Sequence, residues 1–195
     1  MPRPDLRLLA TALACAVLLA ATPASAQRYE PEPSYATQLG FDLEGAIPVN
    51  PPTSPQNNEI RGGGGFKVRL GEQFPFGGIR FTPELLYGYD HLWANDDTGA
   101  AYGWDVSRVF GGARLSLGRI LVPVLYGHLG YGWRQTGDQT VTGSASGLGF
   151  DVGGALDLRV VPHFGAGVHV EYTNVETQLE TPQWIAVGLH ADAIF

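Results

Sequence analysis

The sequence predicts an all-β protein: an eight-stranded antiparallel transmembrane β-barrel, wound as an up-and-down meander. Three observations predict it. Eight segments alternate apolar and polar residues with a period of two, the mark of strands that meet a different environment on each face. The connections alternate between long polar loops and tight turns, and aromatic residues gather toward the ends of the segments. Bulk composition agrees. Only 16% of the 195 residues are charged, against roughly 25% in soluble globular chains. The 27 glycines argue against a helical bundle, and the abundant Leu, Val, Ile and aromatic residues argue against disorder. A net charge of −7 excludes nucleic acid as a natural partner, because phosphate binding relies on clustered Lys and Arg.

The first residues stand apart from this pattern. Arg3 and Arg7 precede an apolar run from Leu8 to Ala21, followed by Pro23 and the small-residue triplet Ala24-Ser25-Ala26. This is the order of a secretory signal peptide over residues 1–26, with cleavage expected before Gln27. Residues 27–34 are expected to form a short periplasmic segment and 35–195 the barrel. Cys15, the only cysteine, lies inside the apolar run. The mature chain is therefore expected to have no disulfide, thiol chemistry or cysteine metal site. It also contains no run of the roughly 18 apolar residues needed for a membrane-spanning helix.

The strands follow in order. Tyr35 to Gly45 separates Tyr35, Leu39, Phe41 and Leu43 from Gln38, Asp42 and Glu44. Gly65 to Leu70 separates Phe66, Val68 and Leu70 from Lys67 and Arg69. Ile79 to Trp93 sets Ile79, Phe81, Leu85, Tyr87, Tyr89 and Trp93 against Arg80, Glu84 and Asp90, with His91 on the apolar side. In Ser107 to Leu117, Val109, Leu115 and Leu117 oppose Arg108 and Arg114. In Pro123 to Arg134, Leu125, Leu129, Tyr131 and Trp133 oppose His128 and Arg134. Leu148 to Arg159 places Phe150, Val152, Leu156 and Leu158 against Asp151, Asp157 and Arg159. Phe164 to Thr173 places Val168, Val170 and Tyr172 against His169 and Glu171. The last segment, Ile185 to Phe195, sets Val187, Leu189, Ala191, Ala193 and Phe195 against His190 and Asp192.

Between them, 47–62, 94–103, 135–145 and 176–182 are polar loops, whereas 118–122 and 160–163 are tight. The connection 71–78 reads as a turn through Gly71, Pro75, Gly77 and Gly78, although Phe74 and Phe76 make it less polar. Tyr87, Tyr89, Trp93, Trp104, Tyr131, Trp133, Tyr172 and Trp184 fall near the long-loop end, and Phe74, Phe76, Phe164 and Phe195 near the other. Two interfacial girdles are expected from that segregation.

The signal peptide, the eight segments and the terminal Phe195 resemble the small outer-membrane β-barrels of the OmpA, OmpX and opacity-protein type, a porin-like group. The likeness covers the mature chain. It implies a Gram-negative outer-membrane location with both termini periplasmic, outer-membrane lipids as surroundings, and a monomer. It also implies recognition by the barrel assembly machinery through Val187, Leu189, Ala191, Ala193 and Phe195. Fold does not imply activity. The function expected is non-enzymatic, in envelope structure or in surface interaction through the extracellular loops. No cofactor motif is present.

The inward charges are expected to be Lys67, Arg69, Arg80, Arg108, Arg114, Arg134 and Arg159 with Asp42, Glu44, Glu84, Asp90, Asp151, Asp157, Glu171 and Asp192. They are expected to pair into a plug, because eight strands leave an interior that side chains fill. Symmetric pairing about 176–182 would set His169 opposite His190, with Glu171 and Asp192 beside them. That donor set suits zinc in kind, but a hydrogen-bonded cluster is the expected reading. Asp97-Thr98-Gly99 spells the aspartic-protease tripeptide once, in a loop where these residues are ordinary turn formers. Gly62 to Gly65 lacks the Lys-Ser/Thr of a phosphate loop and reads as a flexible strand start. Two alternative functions attach to particular residues. His91, Asp105 and Ser107 supply base, orienter and nucleophile for a lipid A deacylase-like hydrolase, although that family carries its His and Ser two apart on one strand. The loop 47–62, with Pro48, Pro51, Pro52, Pro55, Gln56, Asn57 and Asn58, is the surface an adhesin or other binding module would use.

Overall fold

The computed structural model describes residues 35–49, 59–95, 101–136, 144–178 and 181–195. Residues 1–26, where a signal peptide is expected, residues 27–34, Asp97-Thr98-Gly99 and most of the 47–62 loop lie outside them. Eight antiparallel strands close into one barrel in meander order: β1 Ala36–Pro48, β2 Glu59–Phe76, β3 Ile79–Asn95, β4 Ala101–Leu117, β5 Leu121–Thr136, β6 Ser144–Val161, β7 Phe164–Val175 and β8 Gln183–Ile194. Closure is by β1 on β8, from Gln38 opposite Ile194 to Pro48 opposite Trp184. Thr37 and Phe195 add a reciprocal pair of backbone hydrogen bonds at the end of that seam.

The alternation places side chains as a membrane requires. Leu39, Phe41, Leu43, Leu85, Leu125, Leu129, Val168, Val187 and Leu189 are all exposed on the outside. All fifteen charged residues expected inside are buried there, together with His128, His169 and His190. A soluble protein of this size would bury the first set and expose the second. The barrel is therefore a transmembrane one, with lipid as the solvent of its outer face.

Several segment boundaries differ from the sequence expectation. β2 runs from Glu59 to Phe76, so Gly62–Gly65 belongs to a paired strand, because β3 residues 90–93 lie opposite and satisfy its backbone. The stretch 71–76 is also strand: Gly71 and Gln73 point inward and Phe74 and Phe76 outward, leaving only Gly77-Gly78 as the turn. β3 and β4 extend to Asn95 and from Ala101, and β5 and β6 to Thr136 and from Ser144. Strands β2 to β6 have 16–18 residues, more than the roughly 9–11 needed to cross a bilayer. Their excess lies at the long-loop end, where they run past the ends of β1, β7 and β8. At the opposite end, the connections after β2 and β4 use Gly77 and Gly118 at φ 67° and 87°, a region that glycine enters without penalty.

The girdle also needs correction. Tyr87, Trp93, Tyr131 and Trp133 are exposed on the outside at the long-loop end, and Phe74, Phe76, Phe164 and Phe195 at the short-turn end. Trp184 is fully buried in the lumen instead, and Trp104 packs inward beside it. Both share the parity of the inward charges on their strands, Arg108 on β4 and His190 on β8.

Candidate functional site

The lumen is built in layers. Next to the long-loop end, Ala46, Leu92, Val106, Phe110, Val175, Trp184 and Ala186 form an apolar layer across it. Below lies the first ionic layer. Arg108, whose guanidinium sits 5.2 Å from the Trp184 ring centre, pairs with Asp90, with Glu44 at 3.0 Å and with Glu171 at 3.3 Å. Lys67 reaches Glu171 at 2.5 Å, Glu44 at 3.0 Å and Asp42 at 3.5 Å. The Tyr126 hydroxyl and Thr173 also donate to Glu171, and His169 Nε2 lies 3.2 Å from Glu44.

The second layer centres on Arg69, which donates through Nε and Nη2 to Asp42 and through Nη2 to Asp192 at 2.9 Å. Glu84 lies between Arg69 and Arg114, 3.4 Å from each. His128 bridges Glu84 at 2.9 Å and Asp151 at 2.5 Å. Nearest the short turns are Asp157 with His190 and Arg159, and Arg80, which donates to the Gly118 carbonyl at 2.6 Å. A lone ion in such a place costs several kcal/mol, about 20 in the idealised Born limit. The network exists because every strand carries a partner at the right height. Its side chains and the apolar layer fill the lumen, so the described interior is a plug rather than a channel.

Packing is tight enough to test. A Cβ on Gly40 would lie 2.6 Å from Arg69 Cζ and from Asp192 Oδ1, whereas one on outward Gly45 would meet nothing closer than 3.9 Å. Gly40→Val is expected to lower stability by about 1–3 kcal/mol, the usual cost of overpacking, and Gly45→Val to leave it nearly unchanged. Urea unfolding of the micelle-folded protein, followed by tryptophan fluorescence, measures both.

On the outer face, His91 and Asp105 are directly opposed across β3 and β4. His91 Nδ1 lies 2.8 Å from Asp105 Oδ1, and the Tyr89 hydroxyl donates to the same oxygen at 2.5 Å. The other edge of the imidazole lies over Gly103, where a Cβ would be 2.8 Å from Nε2. Ser107 is opposite Tyr89, on the far side of Asp105 from Gly103. The base and orienter of the hydrolase reading therefore meet, but Nε2 is turned away from the intended nucleophile.

His169 and His190 are also near each other without being opposed. His169 faces Gly188 and His190 faces Gly167, a two-residue offset from symmetric pairing. Their rings are 5.7 Å apart, yet their carboxylate partners differ: Glu44 for His169, Asp157 for His190. The residues that sequence reasoning missed are Tyr126, Trp184 and Trp104. Parity alone places each of them inside.

Compared with solved structures, the chain is similar to neisserial surface protein A, NspA, with 11% identity over 84% of this chain and 98% of that one, at a TM-score of 0.52. It is similar also to Ail, the attachment invasion locus protein of Yersinia pestis, with 12% identity over 83% and 97% and a TM-score of 0.51. The complex of Ail with the heparin analogue sucrose octasulfate gives 0.52 over the same shares, again at 12% identity. At these identities the likeness is one of fold. No family model and no curated protein matches the sequence.

Proposed function

We propose that this protein is a non-enzymatic, monomeric outer-membrane barrel of a Gram-negative envelope, acting in envelope structure or surface attachment through its long loops. The observation that carries this reading is the inversion of faces together with the filled lumen. An apolar exterior commits the body of the molecule to lipid, and the ionic plug leaves no channel. The chain beyond the membrane at the ends of β2 to β6 is what remains to meet a partner. Both termini are assigned to the periplasmic side, with the alternating β8 and Phe195 serving the barrel assembly machinery.

The loops also narrow the partner. Glu59, Asp96, Asp97, Asp138, Glu176 and Glu180 outnumber Arg61 in and around them, which disfavours a sulfated sugar such as the sucrose octasulfate bound in the Ail complex. A neutral or basic surface fits better. In outer-membrane fractions the native protein is expected to migrate differently before and after boiling, and deletion of residues 51–58 is expected to reduce attachment while leaving that shift intact. A soluble periplasmic location would overturn the barrel role, and unchanged attachment would overturn the role of that loop.

A further inference from the structure

We propose that Asp157, His190 and Asp192 form a binding site for one divalent ion of the zinc class, inside the lumen and near the short-turn end. One ligand atom from each lies within 4.8 Å of the others. His190 Nε2 is 2.8 Å from Asp157 Oδ1 and 3.9 Å from Asp192 Oδ2. Two donors at zinc's usual bond length of about 2.0–2.1 Å in tetrahedral geometry stand about 3.3 Å apart, so the two separations from His190 bracket the required one.

A second observation points the same way. Asp157 and Asp192 are fully buried, yet Oδ2 of each accepts no hydrogen bond, and such buried oxygens in a packed interior call for a partner. The nearest charges are guanidiniums at looser range: Arg159 lies 3.5 Å from Asp157 Oδ2 and Arg114 3.9 Å from Asp192 Oδ2. Arg69 holds Asp192 by its other oxygen at 2.9 Å, an outer-shell contact that orients a ligand. These three cations keep the site weaker than a closed structural zinc centre.

The strand opposite makes room for the ligand side chains themselves. β7 presents Gly165 to Asp192 and Gly167 to His190, and a Cβ on Gly167 would stand 2.8 Å from His190 Cε1. Toward the short-turn end the inward side chains include Gln38, Gln73, Thr82 and Ser116, all of them polar, and the apolar layer lies in the other direction. The ligand set is not the one symmetric pairing suggests. Asp157 replaces Glu171, and His169 stays with Glu44.

The test is isothermal titration of the purified, micelle-folded protein with zinc chloride. One ion per chain is expected. His190→Ala and Asp157→Asn are each expected to weaken binding at least tenfold, and His169→Ala to change it less than twofold. Heat-dependent gel migration checks the fold of each variant, and the near-isosteric Asp157→Asn keeps the test decisive where His190→Ala does not fold. No saturable binding by the wild type, wild-type affinity in Asp157→Asn, or equal losses in His169→Ala and His190→Ala would each overturn the assignment.

Discussion

Replacing Arg108 by methionine is expected to destabilise the barrel by about 3–5 kcal/mol, the scale for removing one partner of a buried ionic cluster. Arg108 is fully buried and serves three carboxylates, those of Asp90, Glu44 and Glu171. Methionine fills much of the volume under Trp184 but leaves the Asp90 carboxylate without its ion pair. The loss is therefore electrostatic rather than a cavity effect. It follows that Arg108→Met combined with Asp90→Asn should recover part of the stability, since the orphaned charge goes with its partner. The urea midpoint of the micelle-folded protein, followed by tryptophan fluorescence, measures both variants. A single variant within about 1 kcal/mol of wild type, in the range of exposed pairs, would show that the lumen is hydrated and the plug is not a buried network.

The faces of this protein were legible in the sequence, but the heights were not. A period of two decides whether a side chain points to lipid or lumen, and all fifteen charges expected inside, from Asp42 to Asp192, obey it, because a charge at mid-membrane depth on the wrong face has no solvent. A two-residue slip preserves that parity, so alternation says nothing against it. The pairing of His169 with Gly188 rather than His190 is such a slip, and it decides which carboxylate each histidine meets. Trp104 and Trp184 fail for a different reason. Aromatic identity suggests an interfacial belt, but their parity puts them in the lumen, where the apolar layer over the charges needs large side chains. The strand ends were hidden because beyond the bilayer no lipid enforces alternation, and Glu59 to Gly65 is strand only because β3 continues alongside it. The hydrolase trio was legible in kind. The turn of His91 over Gly103 belongs to local packing, which residue types do not encode.

Leu189→Arg is expected to cost about 2–4 kcal/mol when the protein is folded in lipid vesicles, the range for a cation at the bilayer midplane. Leu189 lies near the middle of β8, between Leu43 of β1 and Val168 of β7, and is 65% exposed. Its side chain touches little protein, so the penalty must come from lipid. Val49 supplies the comparison. It has outward parity just past the end of β1, and its backbone nitrogen bonds to the Gln183 carbonyl, so a side-chain change leaves the backbone intact. Val49→Arg is expected to cost at most about 1 kcal/mol, as substitutions near the interface do. Urea unfolding in vesicles gives both values. Exposure is 43% for Val49 and 65% for Leu189, so exposure to water alone would make Leu189 the more tolerant position. The opposite order is what depth in a bilayer produces, and equal costs at the two sites would remove the membrane from the account of this fold.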